Sequence, residues 1–208
     1  MMGVRNWVVI GAGGHAAVVV ATIQAAGETV RVVLDDDPRA WGGDVLGVPV
    51  TGPTAASAVR PGEAAVIGVG SNKARRDLTR RLPLAWGVVI HPSAIIHNSV
   101  EIGEGTVIFA GVILQPRTRI GSHVIVNTAA SVDHDGLLED FVHVAPGARL
   151  SGHVTIREGA LMGVGSAAIP GTTVGAWAVV GAGGAVVADV APGATALGVP
   201  ARPREGSS

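Results

Sequence analysis

A six-residue period runs without a break through the second half of the chain. From Ile90 onward every sixth residue is aliphatic or alanine. The series opens with Ile90, Ile96, Ile102 and Ile108 and closes with Val174, Val180 and Val186. With 48% apolar residues overall, a fixed register would hold over seventeen steps about four times in a million by chance. The residues four places further on, such as Thr106, Val112, Gly136 and Ala148, are all β-branched or small. A helical period of 3.6 fails throughout, and the density of valine favours strands. This pattern predicts a parallel β-helix. Each hexad is a short strand plus a corner, and three hexads close a triangular coil. The large side chains stack inside, and coils follow one another at the inter-strand spacing of about 4.8 Å.

Composition excludes several classes. There is no cysteine, so disulfides, thiolate metal sites and a cysteine nucleophile are ruled out. A net charge of −1 leaves no electrostatic footprint for nucleic acid. Residues 7–26 form an apolar run that loosely mimics a signal peptide. Gly11, Gly13, Gly14, His15 and Gln24 interrupt it, so a strand, a glycine turn and a helix describe it better. No clean stretch of 18 apolar residues occurs elsewhere, and the expectation is a soluble, cytoplasmic protein.

The first 88 residues read as a small α/β domain. Strands are predicted at 7–10, 31–34 and 64–70, with an edge piece at 46–50. Helices are predicted to about residue 26 and over 74–82. The pattern is half of a Rossmann-like sheet. Gly13 and Gly14 at a helix start would let a phosphate approach backbone N–H groups. Asp35 lies where a ribose partner is expected. Ala16 stands where the dinucleotide fingerprint has its third glycine, and half a sheet suits a mononucleotide-type ligand better than a whole NAD. A tight strand–helix turn with no ligand is the plainer reading of the same glycines.

The hexad pattern resembles the hexapeptide-repeat acyltransferases, whose fold is a left-handed parallel β-helix. The joined architecture resembles the acetyltransferases that modify the 4-amino group of UDP-linked 6-deoxy sugars, and the sialic acid O-acetyltransferase-like proteins beside them. The resemblance runs from IGAGGH to LGVPARP, with its core in VNTAASVDHDGLLEDFVHVAPGA, residues 126–148. It implies an α/β domain at 1–88, a left-handed β-helix at 89–190, and a cap and tail at 191–208 whose last four residues are expected to fray.

The resemblance also implies roles. His134 matches the catalytic histidine, Asp135 its basicity partner, and Asn127 a further site residue. Asp133 is expected to be structural. Gly13, Gly14, His15, Asp35, Asp36, Gly70 and Asn72 would hold the nucleotide-linked sugar. His143, Gly152, Val164, Ala182 and Arg202 would contact acetyl-CoA, the co-substrate. Gly152, one coil above His134, is expected to leave open space beside the imidazole, with its N–H facing a thioester. No metal is expected. The β-helical carbonic anhydrases place three histidines on zinc, but His91, His97, His123 and His153 have other spacings. Flat faces and a mean hydropathy of +0.45 predict a homotrimer with coenzyme A between subunits. The expected reaction is acetyl transfer to a sugar amine, UDP-linked by preference. O-acetylation of sialic acid or another sugar hydroxyl remains the alternative.

Overall fold

The computed structural model describes residues 6–204. The expected fraying of residues 205–208 therefore lies outside the described residues. The chain opens with strand β1 (Asn6–Ile10), helix α1 (Gly14–Ala25) and strand β2 (Thr29–Leu34). A hairpin of β3 (Asp44–Val45) and β4 (Val48–Thr51) follows, then β5 (Ala64–Ile67) and helix α2 (Asn72–Arg81). The sheet order is β3-β4-β2-β1-β5, with β2, β1 and β5 parallel. That is the half-size Rossmann-like sheet the sequence predicts. The apolar run at 7–26 is indeed strand, turn and helix. Among the described residues no helix is long and apolar enough to cross a membrane.

The departure at Ala16 has a structural answer. A Cβ on Gly68, at the end of β5, would lie 2.8 Å from the Ala16 Cβ and 2.9 Å from the Val9 side chain. The close helix–sheet approach that a third glycine usually permits is supplied from the opposite side, by Gly68.

Seventeen two-residue strands follow among the described residues, from β6 (Val89–Ile90) to β22 (Ala185–Val186). In every one the second residue is the predicted aliphatic of the hexad. One coil shows the plan. Strand β12 (Ile125–Val126) leads to β13 (Ser131–Val132), then β14 (Leu137–Leu138), and the next coil begins at β15 (His143–Val144). Each strand pairs in parallel with the strand one coil away, as Ile125 with His143 and Leu137 with Thr155. The result is three sheets that form the faces of a prism. The top is closed by β23 (Thr195–Leu197), whose neighbour β24 (Arg202–Pro203) runs antiparallel.

Ladder bonds consume the backbone polar groups of each strand, and the stacked aliphatics give one continuous core from Ile108 to Val186. The first coil has no layer beneath it. There Ile90 is 38% exposed, while Ile96 and Ile102 are half-buried. The α/β unit sits on the face of β6, β12 and β15. Its core joins Trp7 and Val19 to the outward residues Val89, Val107, Phe109 and Ile125 of that face.

Burial decides what truncation costs. Leu138 is fully buried in the middle of the stack, so Leu138→Ala should cost about 3 kcal/mol by chemical denaturation. Ile96→Ala, at the open end, should cost under about 1 kcal/mol.

Candidate active site

The corner between β13 and β14 carries the expected catalytic pair. Asp133 accepts from the backbone N–H of His134 at 2.8 Å, closing its own turn, which agrees with a structural role. Asp135 takes a positive φ of 58°, which turns its carboxylate back toward the imidazole. Its Oδ2 lies 2.8 Å from His134 Nδ1. A carboxylate there holds the proton on Nδ1 and leaves the Nε2 lone pair free, the tautomer a general base needs.

The eighteen-residue coil then stacks polar side chains on this corner. Arg117, one coil below, donates to Asp135 from Nε at 2.7 Å and from Nη2 at 2.9 Å. His153, one coil above, brings its Nε2 to 3.7 Å from Asp135 Oδ2, and its ring meets the His134 ring edge-on at 5.2 Å. The Arg117 guanidinium first, and the His134 bond second, hold the Asp135 carboxyl well below the usual carboxylate range. Asp135 therefore stays ionised and does not take the proton itself. His134, Asp135 and His153 offer ligand atoms within 4.8 Å of one another. Arg117 already engages both oxygens of that carboxylate, which works against a cation there. Sequence reading found no tight histidine set and missed His153. The missed signal was arithmetic, since Arg117, Asp135 and His153 are spaced by one coil.

Gly152 corrects an expectation. A Cβ there would lie 2.6 Å from His134 Cε1 and Nε2. The imidazole itself occupies the space that Gly152 leaves, so the glycine seats the ring and does not open a gap beside it.

Asn127 lies on a different corner, between β12 and β13. Its Oδ1 accepts from Thr128 N at 2.8 Å, and its Nδ2 is 3.1 Å from His143 Nε2. Backbone bonds stack Thr128, Pro146, Val164 and their successors up this same corner. Val164 is 56% exposed, and Ala182 is exposed as well. The chain thus presents His134 on one corner and Asn127, Val164 and Ala182 on the next. Arg202 is exposed on the closing strand, with Nη1 3.3 Å from Ala201 O.

The nucleotide residues divide in two. Gly13 caps α1, and neither Gly13 nor Gly14 has an atom where a Cβ would sit. A small cleft nearby is lined by Gly11, Asp35, Asp36, Thr54 and Val69. Asp35 accepts from Ala12 N at 2.7 Å and from Asp37 N at 2.8 Å, so much of its carboxylate shapes the turn. Asp36 pairs with Arg81 at 2.6 Å. His15, Gly70 and Asn72 lie instead on the seam with the β-helix. The His15 ring packs edge-on against Phe109 at 5.3 Å and lies 6.2 Å from His143. A Cβ on Gly70 would be 3.9 Å from His15. The Asn72 amide donates to the carbonyls of Gly159 at 2.9 Å and Ala160 at 3.2 Å. Asn72 is therefore a docking residue, a correction to its expected place beside the nucleotide.

The seam follows a column of left-handed corners: Gly105, His123, Phe141, Gly159 and Trp177. His123 stacks on Phe141 at 5.5 Å and meets Trp86 edge-on at 5.1 Å. Arg76 lies over Trp177 at 4.5 Å. Arg75, only 1% exposed, sits at the centre. Burial pushes its guanidinium down to about 9, still charged at neutral pH. Desolvation first, and the Arg75 charge second, lower His15 to about 4, His123 to about 4 and His143 to about 3.

Two predictions follow from this geometry. Gly152→Ala should leave the fold intact by circular dichroism and lower turnover at least tenfold, because the new methyl displaces the His134 ring. The second concerns pH. The seam histidines bind protons less readily folded than unfolded, so between about pH 6.5 and 4 the unfolded chain takes up more protons. Their contribution is complete above pH 6.5 and is lost as pH falls. The melting temperature should drop over that window. His123→Phe should flatten the drop, since phenylalanine already occupies the equivalent corner at 141.

Comparisons with known proteins agree with this architecture. The sequence model of the PglD N-terminal domain matches residues 6–82. The acetyltransferase domain of PglB from Neisseria gonorrhoeae superposes with a TM-score of 0.91 at 41% identity, covering 96% of this chain and 100% of that one. A histidine-to-alanine mutant of GDP-perosamine N-acetyl transferase from Caulobacter crescentus, in complex with CoA and GDP-perosamine, superposes at 0.90 with 40% identity over 99% of both chains. UDP-N-acetylbacillosamine N-acetyltransferase of Bacillus subtilis is 42% identical over 114 residues, 51% of this chain and 52% of the relative. The chain thus spans about half the length of the curated relatives it matches. With a PglD-type sheet, an uninterrupted hexad prism and 40% identity along nearly its whole length to a solved enzyme, the chain belongs to the PglD-like family of hexapeptide-repeat sugar acetyltransferases.

Proposed function

We propose that this protein moves the acetyl group of acetyl-CoA onto the amine of a nucleotide-linked 4-amino-6-deoxy sugar. The observation that carries the reading is the His134–Asp135 pair, with Nδ1 bound to a carboxylate that stays ionised. That arrangement leaves Nε2 as the proton acceptor. The sugar nitrogen attacks the thioester carbon, and a C–N bond forms. His134 Nε2 takes the proton that the nitrogen must lose, and Asp135 stabilises the resulting imidazolium. The tetrahedral intermediate collapses with rupture of the C–S bond, and the same proton passes to the departing coenzyme A sulfur. With no cysteine to carry an acyl group, transfer is direct, in a ternary complex.

The open backbone at Gly13 and Gly14 receives the pyrophosphate at the N-terminus of α1, and the Asp35–Asp36 cleft receives the nucleoside. His143, Val164, Ala182 and Arg202 serve the coenzyme, with Asn127 beside His143. Asn127, Val164 and Ala182 lie on one corner of the prism and His134 on another. Three prisms about a threefold axis would set one subunit's His134 corner against the next subunit's coenzyme corner, which supports a homotrimer.

The test is acetyl transfer with a panel of UDP-, GDP- and dTDP-linked 4-amino sugars, read by mass spectrometry. N-acetylation is expected, with the UDP-linked sugar favoured. Acetylation of hydroxyl sugars alone would overturn the amine assignment. His134→Ala should lower turnover about a thousandfold, and near wild-type activity would remove the base. Sedimentation at micromolar concentration should give the mass of three chains.

A further inference from the structure

A buried cation held by carbonyls calls for a reason. Arg75, in the first turn of α2, is fully buried, and every acceptor it meets among the described residues is a backbone carbonyl. Burying a charge is expensive unless dipoles replace its hydration. Here carbonyls from two separate parts of the molecule do so. Nη1 donates to Gly70 O at 2.9 Å, with Val69 O at 3.4 Å. Nε donates to His123 O at 3.1 Å. Nη2 donates to Phe141 O at 2.8 Å, with Val142 O at 3.3 Å. Gly70 and Val69 belong to the loop that leaves β5. His123, Phe141 and Val142 belong to two successive coils of the β-helix.

Both ends of this span lead to proposed site residues. Val142 directly precedes His143, whose Nε2 meets the Asn127 amide at 3.1 Å. On the other side, Gly70 faces His15, which follows the Gly13–Gly14 turn. The guanidinium is planar and its donors are fixed in direction. It therefore sets the separation between the loop and the coils, as a flexible ammonium on a lysine cannot. A mere filler of this space would need no charge, and an apolar side chain would avoid the desolvation cost.

We infer that Arg75 is a positioning residue for acetyl transfer: its guanidinium fixes the distance and tilt of the nucleotide-binding unit over the coenzyme-bearing corner, so that the sugar amine reaches the thioester. The inference rests on the proposed function. It places the effect of Arg75 in the ternary complex, because the nucleotide contacts and the coenzyme contacts each lie within one unit.

The experiment compares Arg75→Lys and Arg75→Gln with the wild-type protein. The readouts are kcat, both KM values, and the affinities for the nucleoside diphosphate alone and for coenzyme A alone. Both binary affinities and the acetyl-CoA KM should stay within twofold. Turnover per folded molecule should fall at least tenfold for lysine and further for glutamine. Turnover within twofold of wild type in both variants would overturn the inference. So would binary affinities that fall in proportion to turnover, since that marks general damage. Hydrogen exchange supplies a readout that needs no activity. In Arg75→Gln, segments 69–75 and 141–144 should exchange faster while 113–114 keep their protection. Unchanged exchange at the seam would also overturn the inference. If the wild-type protein acetylates no sugar in the panel, the functional reading fails. Exchange then judges the seam by itself.

Discussion

Hydrogen bonds between residues one coil apart hold this protein together and place its chemistry. In a parallel ladder each strand residue bonds the strand above and below, so identical hexad positions stack in columns. The columns have distinct compositions. Small and aliphatic side chains fill the interior. Arg117, Asp135 and His153 make a polar column around the catalytic candidate. His123 and Phe141 make an aromatic one along the seam. Replacing a residue in any column acts on the coil above and the coil below. Gly105 and Gly159 show the point, since a Cβ at either would run into the His123 or Trp177 ring of the next coil. A ring in one coil is accommodated by a glycine in the coil before it. At the proposed active site the order is reversed, with the His134 ring seated against Gly152 of the coil above.

The second constraint is the seam. Apolar contact between the α/β sheet and the outward residues of one prism face supplies most of the adhesion, because Val107, Phe109 and Ile125 are fully removed from water there. Apolar contact is non-directional, and it does not by itself fix an orientation. Direction comes from helix α2. Asn72, Arg75 and Arg76 fall on one helical face at spacings of three and four, and each meets a different coil corner. The helix is therefore tied to four successive corners of the column, from His123 to Trp177, and the nucleotide turn is held over a defined part of the prism. The neutral histidines of the seam belong to the same arrangement, since a buried arginine charge nearby opposes their protonation.

Much of the fold was legible in the sequence. The hexad register named the inward residue of all seventeen strands, because a prism tolerates no slip: one residue out of step turns a core side chain to solvent. The glycine turn and half-sheet were legible because strand, turn and helix signals are local. The His134–Asp135 pair was legible for the same reason, as adjacent residues at a left-handed corner. Gly152 was placed correctly by coil arithmetic, but its role was misread, because sequence shows which residues are stacked and not which of them leans into the gap. His153 and Arg117 were open to the same arithmetic. The seam was not legible. Asn72 and Gly159 lie 87 residues apart, and no periodicity links a helix in one unit to the corners of another.

The sequence alone determined the prism, its register, the glycine turn and the pairing of His134 with Asp135, because each rests on a period or on neighbours along the chain. Tertiary structure decided where the α/β unit sits, what Asn72 and Arg75 do, and how Arg117 and His153 surround the Asp135 carboxylate. Those outcomes depend on which carbonyls and rings meet in space once both units are folded. A buried guanidinium has no sequence signature of its own until its acceptors have been brought around it.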